Sequence, residues 1–244
     1  MKKHLLTALT LLTCTAALAA PCSTTTDEKS PTPLMYSASE GDTIDRLRIE
    51  HEVKMSYLGR YLADKERRMR IEIKNRQLQH QKQVKLDTQL IEAAQEGDQV
   101  AVKFLIEQGA RINAPNNDGE TALILASQKG HTYITRMLIE KGANINAADK
   151  YGYTALITAV GEGQTEIVKL LIEKGADVNA ADKYGNTVLM TAAVVGKAEI
   201  VRLLIDKGAN INADDGEGHT ALSIAKGNGH ADIVQMLKAA GAKK

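Results

Sequence analysis

The sequence repeats with a period of 33 residues from Thr88 onward. Each copy contains a short apolar segment such as "TALITAV", a Gly, a second apolar segment such as "TEIVKLLIEKGA" and a polar stretch such as "DVNAADKYG". In the second segment, Ile167, Leu170 and Leu171 lie at helical spacing and form one apolar stripe. Because a helix pair this short cannot bury its stripe alone, the copies must stack, and the repeat predicts an all-α solenoid. The aligned residues include Thr121, Thr154, Thr187 and Thr220, and Gly109, Gly142, Gly175, Gly208 and Gly241.

The composition agrees with thin helical layers rather than with one large core. Only 3% of the 244 residues are aromatic, with one Phe and no Trp, whereas 43% are hydrophobic. Aromatic side chains supply much of the volume of a large core, while Ala, Leu, Ile and Val suit small helices packed in series.

The repeated motif resembles the ankyrin repeat. The period, the helix order and signatures of the form "GADVNAAD" agree over residues 88–244. The resemblance implies stacked helix-turn-helix copies with β-turn or hairpin tips. The family's Thr-Pro-Leu-His start appears here as "TALI", "TALI", "TVLM" and "TALS", so we expect apolar packing to replace the lost Thr-to-His hydrogen bond in at least three copies. The predicted copies are residues 88–119, 120–152, 153–185, 186–218 and 219–244.

The first residues have the pattern of a secretory signal peptide. Lys2 and Lys3 precede an apolar run, and small residues follow at the positions that signal peptidase reads. We expect cleavage after Ala19, so that residues 1–19 are a signal peptide and the mature chain is periplasmic.

A lipoprotein signal is the alternative interpretation of the same residues. It would use Cys14 or Cys22, but Thr13 and Pro21 are poor residues before a lipidated Cys. Cleavage after Ala19 leaves a single Cys, so no intramolecular disulfide is expected.

Two segments separate the signal peptide from the repeats. Residues 20–33 are rich in Ser, Thr and Pro and are predicted to be a disordered leader. Residues 34–87 are predicted to be a long basic helical segment, because residues 43–87 contain twelve Lys and Arg against seven Asp and Glu, and no Pro. Its start, residues 34–47, is a candidate degenerate repeat, because Gly41-Asp42 matches Gly97-Asp98.

The apolar residues of this basic segment are too irregularly spaced to predict a coiled coil. We expect a solvated helical arm, or one folded back on the repeats. Its weak apolar face allows no more than a weak contact with a membrane surface.

The sequence contains no complete catalytic or metal-binding motif. His51-Glu52 begins like the zinc-protease helix, but Met55 stands where the second His is required. Gly-x-Gly fragments, such as Gly161 with Gly163, do not complete a phosphate-binding loop. We expect no enzymatic activity, no catalytic or metal site, no cofactor and no nucleic-acid partner.

The ankyrin resemblance implies a concave surface, made of turn tips and the outer ends of the first helices, that grips a protein partner. Three Tyr at the middle tips can bury large area and still hydrogen-bond, as hot-spot residues do, and two Val lie beside them. Charged flanking copies would form a polar rim. Recent duplication without any binding role would leave the same pattern. The predicted partner-binding residues are Lys150, Tyr151, Tyr153, Glu162, Lys183, Tyr184, Asn186, Val194, Val195, Glu217 and His219.

These patterns predict a non-catalytic protein-protein interaction module in the bacterial periplasm. Similar bacterial ankyrin proteins are thought to mask a secreted toxin, as immunity proteins do, or to shelter a periplasmic enzyme. The alternative is a structural or envelope-organising protein that acts through its basic N-terminal helix, at a membrane surface or by self-association. The partner's identity and the oligomeric state stay open.

Overall fold

The computed structural model describes the backbone of residues 40–243 and the side chains of residues 43–243. The predicted signal peptide, the predicted leader and residues 34–39 lie outside the described residues. The described part of the chain forms ten α-helices. They are α1 (Glu40–Glu96), α2 (Gln99–Glu107), α3 (Ala122–Gln128), α4 (Thr132–Glu140), α5 (Ala155–Gly161), α6 (Thr165–Glu173), α7 (Val188–Val195), α8 (Ala198–Asp206), α9 (Ala221–Gly227) and α10 (Ala231–Ala239).

The helices after α1 form two packed rows. In the first row, α3, α5, α7 and α9 pack on one another in chain order, and in the second row α2, α4, α6, α8 and α10 do the same. Each first-row helix also packs on the second-row helix that follows it. The prediction of an all-α solenoid of stacked helix pairs is confirmed, whereas the exact division into copies stays a prediction.

The core lies between the two rows and is built from small and aliphatic residues. In α6, Ile167, Leu170 and Leu171 are buried, as the apolar stripe predicts, and Val168 is buried with them. In α5, Ala155 and Ala159 are completely inaccessible to solvent. Because Ala adds little bulk, neighbouring first-row helices can approach closely, which explains how a chain poor in aromatic residues packs well.

Each first-row helix from α3 onward begins with a Thr that caps its N-terminus. The hydroxyl of Thr154, for example, accepts a hydrogen bond from the backbone N–H of Ile157 at 3.3 Å. The side chains at the position where the family has His are buried in three copies: Ile124, Ile157 and Met190. The structure thus agrees with the expectation that apolar packing replaces the missing hydrogen bond.

Asn side chains connect successive copies. The side-chain oxygen Oδ1 of Asn146 accepts a hydrogen bond from the backbone N–H of Asp177 at 2.9 Å. Oδ1 of Asn179 likewise accepts from the backbone N–H of Asn210 at 2.7 Å. These bonds explain why Asn recurs at this position, since it satisfies backbone groups that the turn leaves without a helical partner.

The chain divides into two units, one ending at Asp64 and the other beginning at Lys65. Helix α1 contributes residues to both units. In the first unit, the described side chains are all exposed. The helix runs through Gly41-Asp42 without a break, so the described residues of 34–47 contain no helix pair. In the second unit, Leu90 and Ala94 of α1 are buried in the core of the repeats.

Asp87 of α1 is the main polar contact between this helix and the first copy. Its buried carboxylate accepts hydrogen bonds from the backbone N–H of Arg111 at 2.7 Å and from the Arg111 guanidinium at 2.8 Å. Gln83 donates a further bond to it at 2.9 Å. Burial acts to raise the pKa of Asp87, but the hydrogen bonds from Arg111 and Gln83 outweigh it and lower that pKa below its ordinary value.

None of the helices in residues 40–243 combines the length and the apolar character needed to cross a membrane.

We predict that Asp87→Ala lowers the free energy of unfolding by about 2 kcal/mol, because hydrogen bonds to a buried carboxylate are lost. Since the folded pKa is lowered, the contribution of Asp87 is complete above the unfolded pKa of about 3.9 and disappears as the pH falls through the folded value. Urea unfolding between neutral and acidic pH measures this difference. Glu92→Ala, an exposed change on the same helix, is the control and should have almost no effect.

We predict that Thr135→Val stabilises the protein. The Thr135 hydroxyl is fully buried without a hydrogen-bond partner, and Val168, Val201 and Val234 occupy the same position of the later copies. Removing an unsatisfied buried hydroxyl should raise the free energy of unfolding by about 1 kcal/mol or more. Thr158→Val is the control and should not be stabilised, because the Thr158 hydroxyl already donates a hydrogen bond to the backbone oxygen of Thr154. Equal stability of Thr135→Val and the wild type would contradict the prediction.

Candidate functional site

An acidic or amide side chain closes each turn tip between copies. The Asp149 carboxylate accepts hydrogen bonds from the backbone N–H groups of Tyr151 and Tyr153, both at 2.8 Å. The Asp182 carboxylate does the same for Tyr184 and Asn186, both at 2.9 Å. Each Asp therefore stabilises the backbone of its own tip. The side chains of Tyr151 and Tyr184 are not needed for this.

The tips of neighbouring copies also lie against each other. The backbone N–H of Lys183 donates to the carbonyl oxygen of Tyr151 at 2.9 Å. Gly152 sits at this junction with a φ of 88°, and a Cβ added there would lie 2.9 Å from the backbone nitrogen of Lys183. Gly is required both for the left-handed backbone and for this close approach.

The middle tips expose the Tyr residues that the sequence singled out. Tyr151 and Tyr184 are 51% and 66% exposed. Tyr153 is half-buried, and its ring centroid lies 6.4 Å from that of Tyr151. Burial, together with the negative charges of Asp182 and Asp149 and with Tyr184, raises the pKa of Tyr153.

An open groove of about 410 Å³ lies beside these tips, along helices α5 and α7. Four of the predicted partner-binding residues line it: Tyr153, Glu162, Asn186 and Val194. Val194 is 55% exposed, although it is apolar. The structure thus joins part of the predicted surface into one continuous groove.

Sequence reasoning missed the floor of this groove. Thr158, Thr191 and Ile224 all line it and occupy the same position of three successive copies. They lie three residues before Gly161, Val194 and Gly227, respectively. Because three residues is about one helical turn, each is on the same face of its helix as the residue it precedes. That spacing was readable in the sequence and could have identified these residues.

The remaining predicted residues lie outside the groove. Lys150, Lys183 and the two exposed Tyr are at the tips, and Lys150 makes a long ion pair with Asp118 at 3.9 Å. Val195 is half-buried beside Gly163, where a Cβ would come within 3.8 Å of its side chain.

Glu217 and His219 belong to the last tip. There the His219 ring nitrogen Nδ1 is 2.6 Å from the Asp215 carboxylate. The hydrogen bond with Asp215 raises the pKa of His219. Burial acts to raise the pKa of Asp215, but the hydrogen bonds from His219 and Glu217 lower it overall.

These three side chains are the one group of potential metal ligands that the described residues bring together, with ligand atoms within 4.8 Å of one another. The Asp215 carboxylate, however, already accepts the backbone N–H groups of Glu217 and His219 and contacts the His219 ring. The arrangement closes the last tip as Asp182 closes the tip before it.

The comparison with protein families agrees with this architecture. A family model described as "Ankyrin repeats (3 copies)" matches residues 90–182 and 179–244, well over half of the chain. The chain belongs to the ankyrin-repeat family. No curated protein matches it. Ankyrin repeats generally mediate protein-protein interaction, and the family is typically non-enzymatic.

Within this ankyrin array, we call Tyr151 and Tyr184 together with the groove the recognition face. It combines two exposed aromatic tips with an apolar groove. The tips are fixed by hydrogen bonds to their backbone, and the groove is lined by residues of packed helices, so the face is carried on a well-defined backbone.

We predict that Gly152→Ala is more destabilising than Gly218→Ala. Both residues occupy the same turn position with a φ of 88°, but a Cβ at Gly218 meets nothing within 4 Å. The left-handed backbone should cost each variant about 1 to 2 kcal/mol. The collision with the next tip should add about 1 kcal/mol or more in Gly152→Ala. Thermal and urea unfolding measure both, and equal losses would contradict the close approach of the tips.

Proposed function

We propose that this protein is a non-catalytic binding module of the bacterial periplasm that holds one protein partner on its recognition face. The observation that carries the proposal is the exposure of Tyr151, Tyr184 and Val194 around a preformed groove. Tyr buries large area at a small entropic cost and retains a hydroxyl for hydrogen bonding, which is why it concentrates at binding hot spots.

The surroundings of the recognition face also support a protein partner. Asp118 and Glu120 lie in the tip before it, and Asp214 and Glu217 lie in the tip after it. An apolar centre with a polar rim is the usual anatomy of a protein interface.

The periplasmic part of the proposal rests on the sequence of residues 1–19, with its Lys2-Lys3 pair, apolar run and small residues before the cleavage point. In that compartment a module without catalytic groups can act by covering a surface of its partner. We therefore propose a protective role, in which the module masks a toxin, as an immunity protein does, or shelters a periplasmic enzyme.

The Tyr151→Ala, Tyr184→Ala double variant tests the recognition face. We expect the mature wild-type protein to capture one protein from envelope extract and the double variant to lose it, because hot-spot truncation commonly costs 2 kcal/mol or more, about 30-fold in affinity. Mass spectrometry identifies the captured protein. Both Tyr are exposed, so the melting temperature should stay nearly unchanged.

Tyr133→Ala is the matched control for this pull-down. Tyr133 is 57% exposed, but it lies on the second-row helix α4, away from the groove. Capture should be retained in this variant. Equal capture by the double variant and the wild type would refute the proposed site.

A second candidate function is favoured by one observation on α1. Fourteen large hydrophobic side chains of this helix, from Ile44 to Val84, are exposed in the described structure. Such a surface suits an envelope-organising protein that acts through self-association or contact with a membrane.

Sedimentation of the mature protein tests this candidate. Self-association predicts a mass above that of the monomer, which Leu58→Glu with Leu62→Glu should reduce, because both side chains are exposed on α1. Membrane contact predicts co-sedimentation with vesicles that contain phosphatidylglycerol. A monomer that leaves the vesicles in solution would exclude both.

A further inference from the structure

The groove combines an apolar lining with negative charge. Val194 and Ile224 supply accessible aliphatic surface, and the buried Ile157 and Met190 complete the apolar lining. Glu162 and Asp182 supply two carboxylates, and no Lys, Arg or His is among the lining residues. A ligand that matches both properties has an aliphatic stem and a cationic end.

We propose that the groove receives one Arg or Lys side chain of the protein partner, with its stem on the aliphatic lining and its charge at Glu162. The proposal rests on the proposed function, because it names the chemistry of the partner at the same recognition face. Long basic side chains bury their methylene groups on apolar surface while the charged end meets a polar group, so they fit a groove of this kind.

The Glu162 carboxylate is available for this contact. It makes no hydrogen bond or ion pair with any side chain of residues 43–243, and it is exposed at the end of α5. Asp182 differs, because its two oxygens already accept bonds from the backbone of its tip and from the Asn186 amide at 2.9 Å. Asp182 therefore adds negative potential, while Glu162 offers free oxygens for a bidentate Arg or a Lys ammonium.

The groove also has room for the side chain. Gly161 lies on its wall, and a Cβ built there would meet only the Thr191 methyl group, at 3.8 Å. The hydroxyl of Thr191 donates to its own helix at 3.2 Å, which leaves this methyl group for the groove. Gln128 and Val194 stand at the position of Gly161 in the neighbouring copies, so the absent side chain at Gly161 widens the groove locally.

The Tyr153 ring provides a further feature that favours a cation. It is half-buried on the groove wall, and a cation over the face of an aromatic ring is attracted by the ring's electrons. Burial raises the pKa of Tyr153, and the negative charges of Asp182 and Asp149 act in the same direction.

Selection from a random dodecapeptide library tests the proposal. The wild-type protein and Gly227→Gln should select peptides that share one Arg or Lys beside apolar residues, because Gly227 is at the same helix position but outside the groove. Gly161→Gln fills the groove and should lose these peptides. Its backbone is ordinary helix and Gln128 occupies this position in another copy, so its melting temperature should match that of the wild type.

Calorimetry with the best peptide measures the charge contact directly. Replacing its Arg by citrulline, which has the same shape without the charge, should weaken binding to the wild type about 10-fold. Glu162→Gln should bind the two peptides equally. For a Lys peptide, norleucine takes the place of citrulline.

The outcomes separate this inference from the proposed function. Peptides that depend on Gly161 or on Tyr151 and Tyr184 but share no basic residue would overturn the inference and retain the recognition face. Equal binding of the Arg and citrulline peptides to the wild type would do the same. Peptides that bind all variants alike, or a library that yields none, would overturn both.

Discussion

The burial of one apolar stripe per copy is the constraint on which the array depends. In α6, Ile167, Leu170 and Leu171 are buried, and this helix packs on α5 of its own copy and on α4 and α8 of the neighbouring copies. Since no single pair of short helices can provide this cover, each copy is folded only as part of the stack. The small Ala residues of the first row then set how close successive copies lie, and this spacing brings the tips together.

Because of that spacing, the turn tips of neighbouring copies lie against each other and form one surface. The Lys183 N–H reaches the Tyr151 carbonyl oxygen, and Gly152 has no room for a side chain. Because Asp149 and Asp182 hold the tip backbones, Tyr151 and Tyr184 are not needed for the fold and remain exposed. The repeated peptide "NAADKYG" therefore contains both kinds of residue, Asp and Gly for the turn and Lys and Tyr for the surface. Exposed side chains can vary here at little cost in stability.

Sequence reasoning was most successful for residues whose role depends on their own copy or on an adjacent one. The Thr at the start of each first-row helix, the Gly of the turn and the apolar stripe act within a copy or between adjacent copies, so periodicity identified them. It was least successful at the groove, because Thr158, Thr191 and Ile224 come from three copies and are ordinary helix residues when read singly. Asp87 was also missed, since its partner Arg111 lies in the loop after α2. The buried Thr135 hydroxyl without a hydrogen-bond partner was also missed, because a sequence pattern does not predict the burial of a single atom.

The sequence by itself determined the solenoid, its two rows of helices and its turn tips, because period, helix spacing and turn glycines are local properties repeated along the chain. Only the tertiary structure decided which of the predicted contact residues share a groove. Tyr153, Glu162, Asn186 and Val194 do, while Val195 turns towards Gly163 and the Lys side chains stay at the tips. The physical reason is that a groove is made by the distance and rotation between stacked helices, and these follow from how the side chains of successive copies pack.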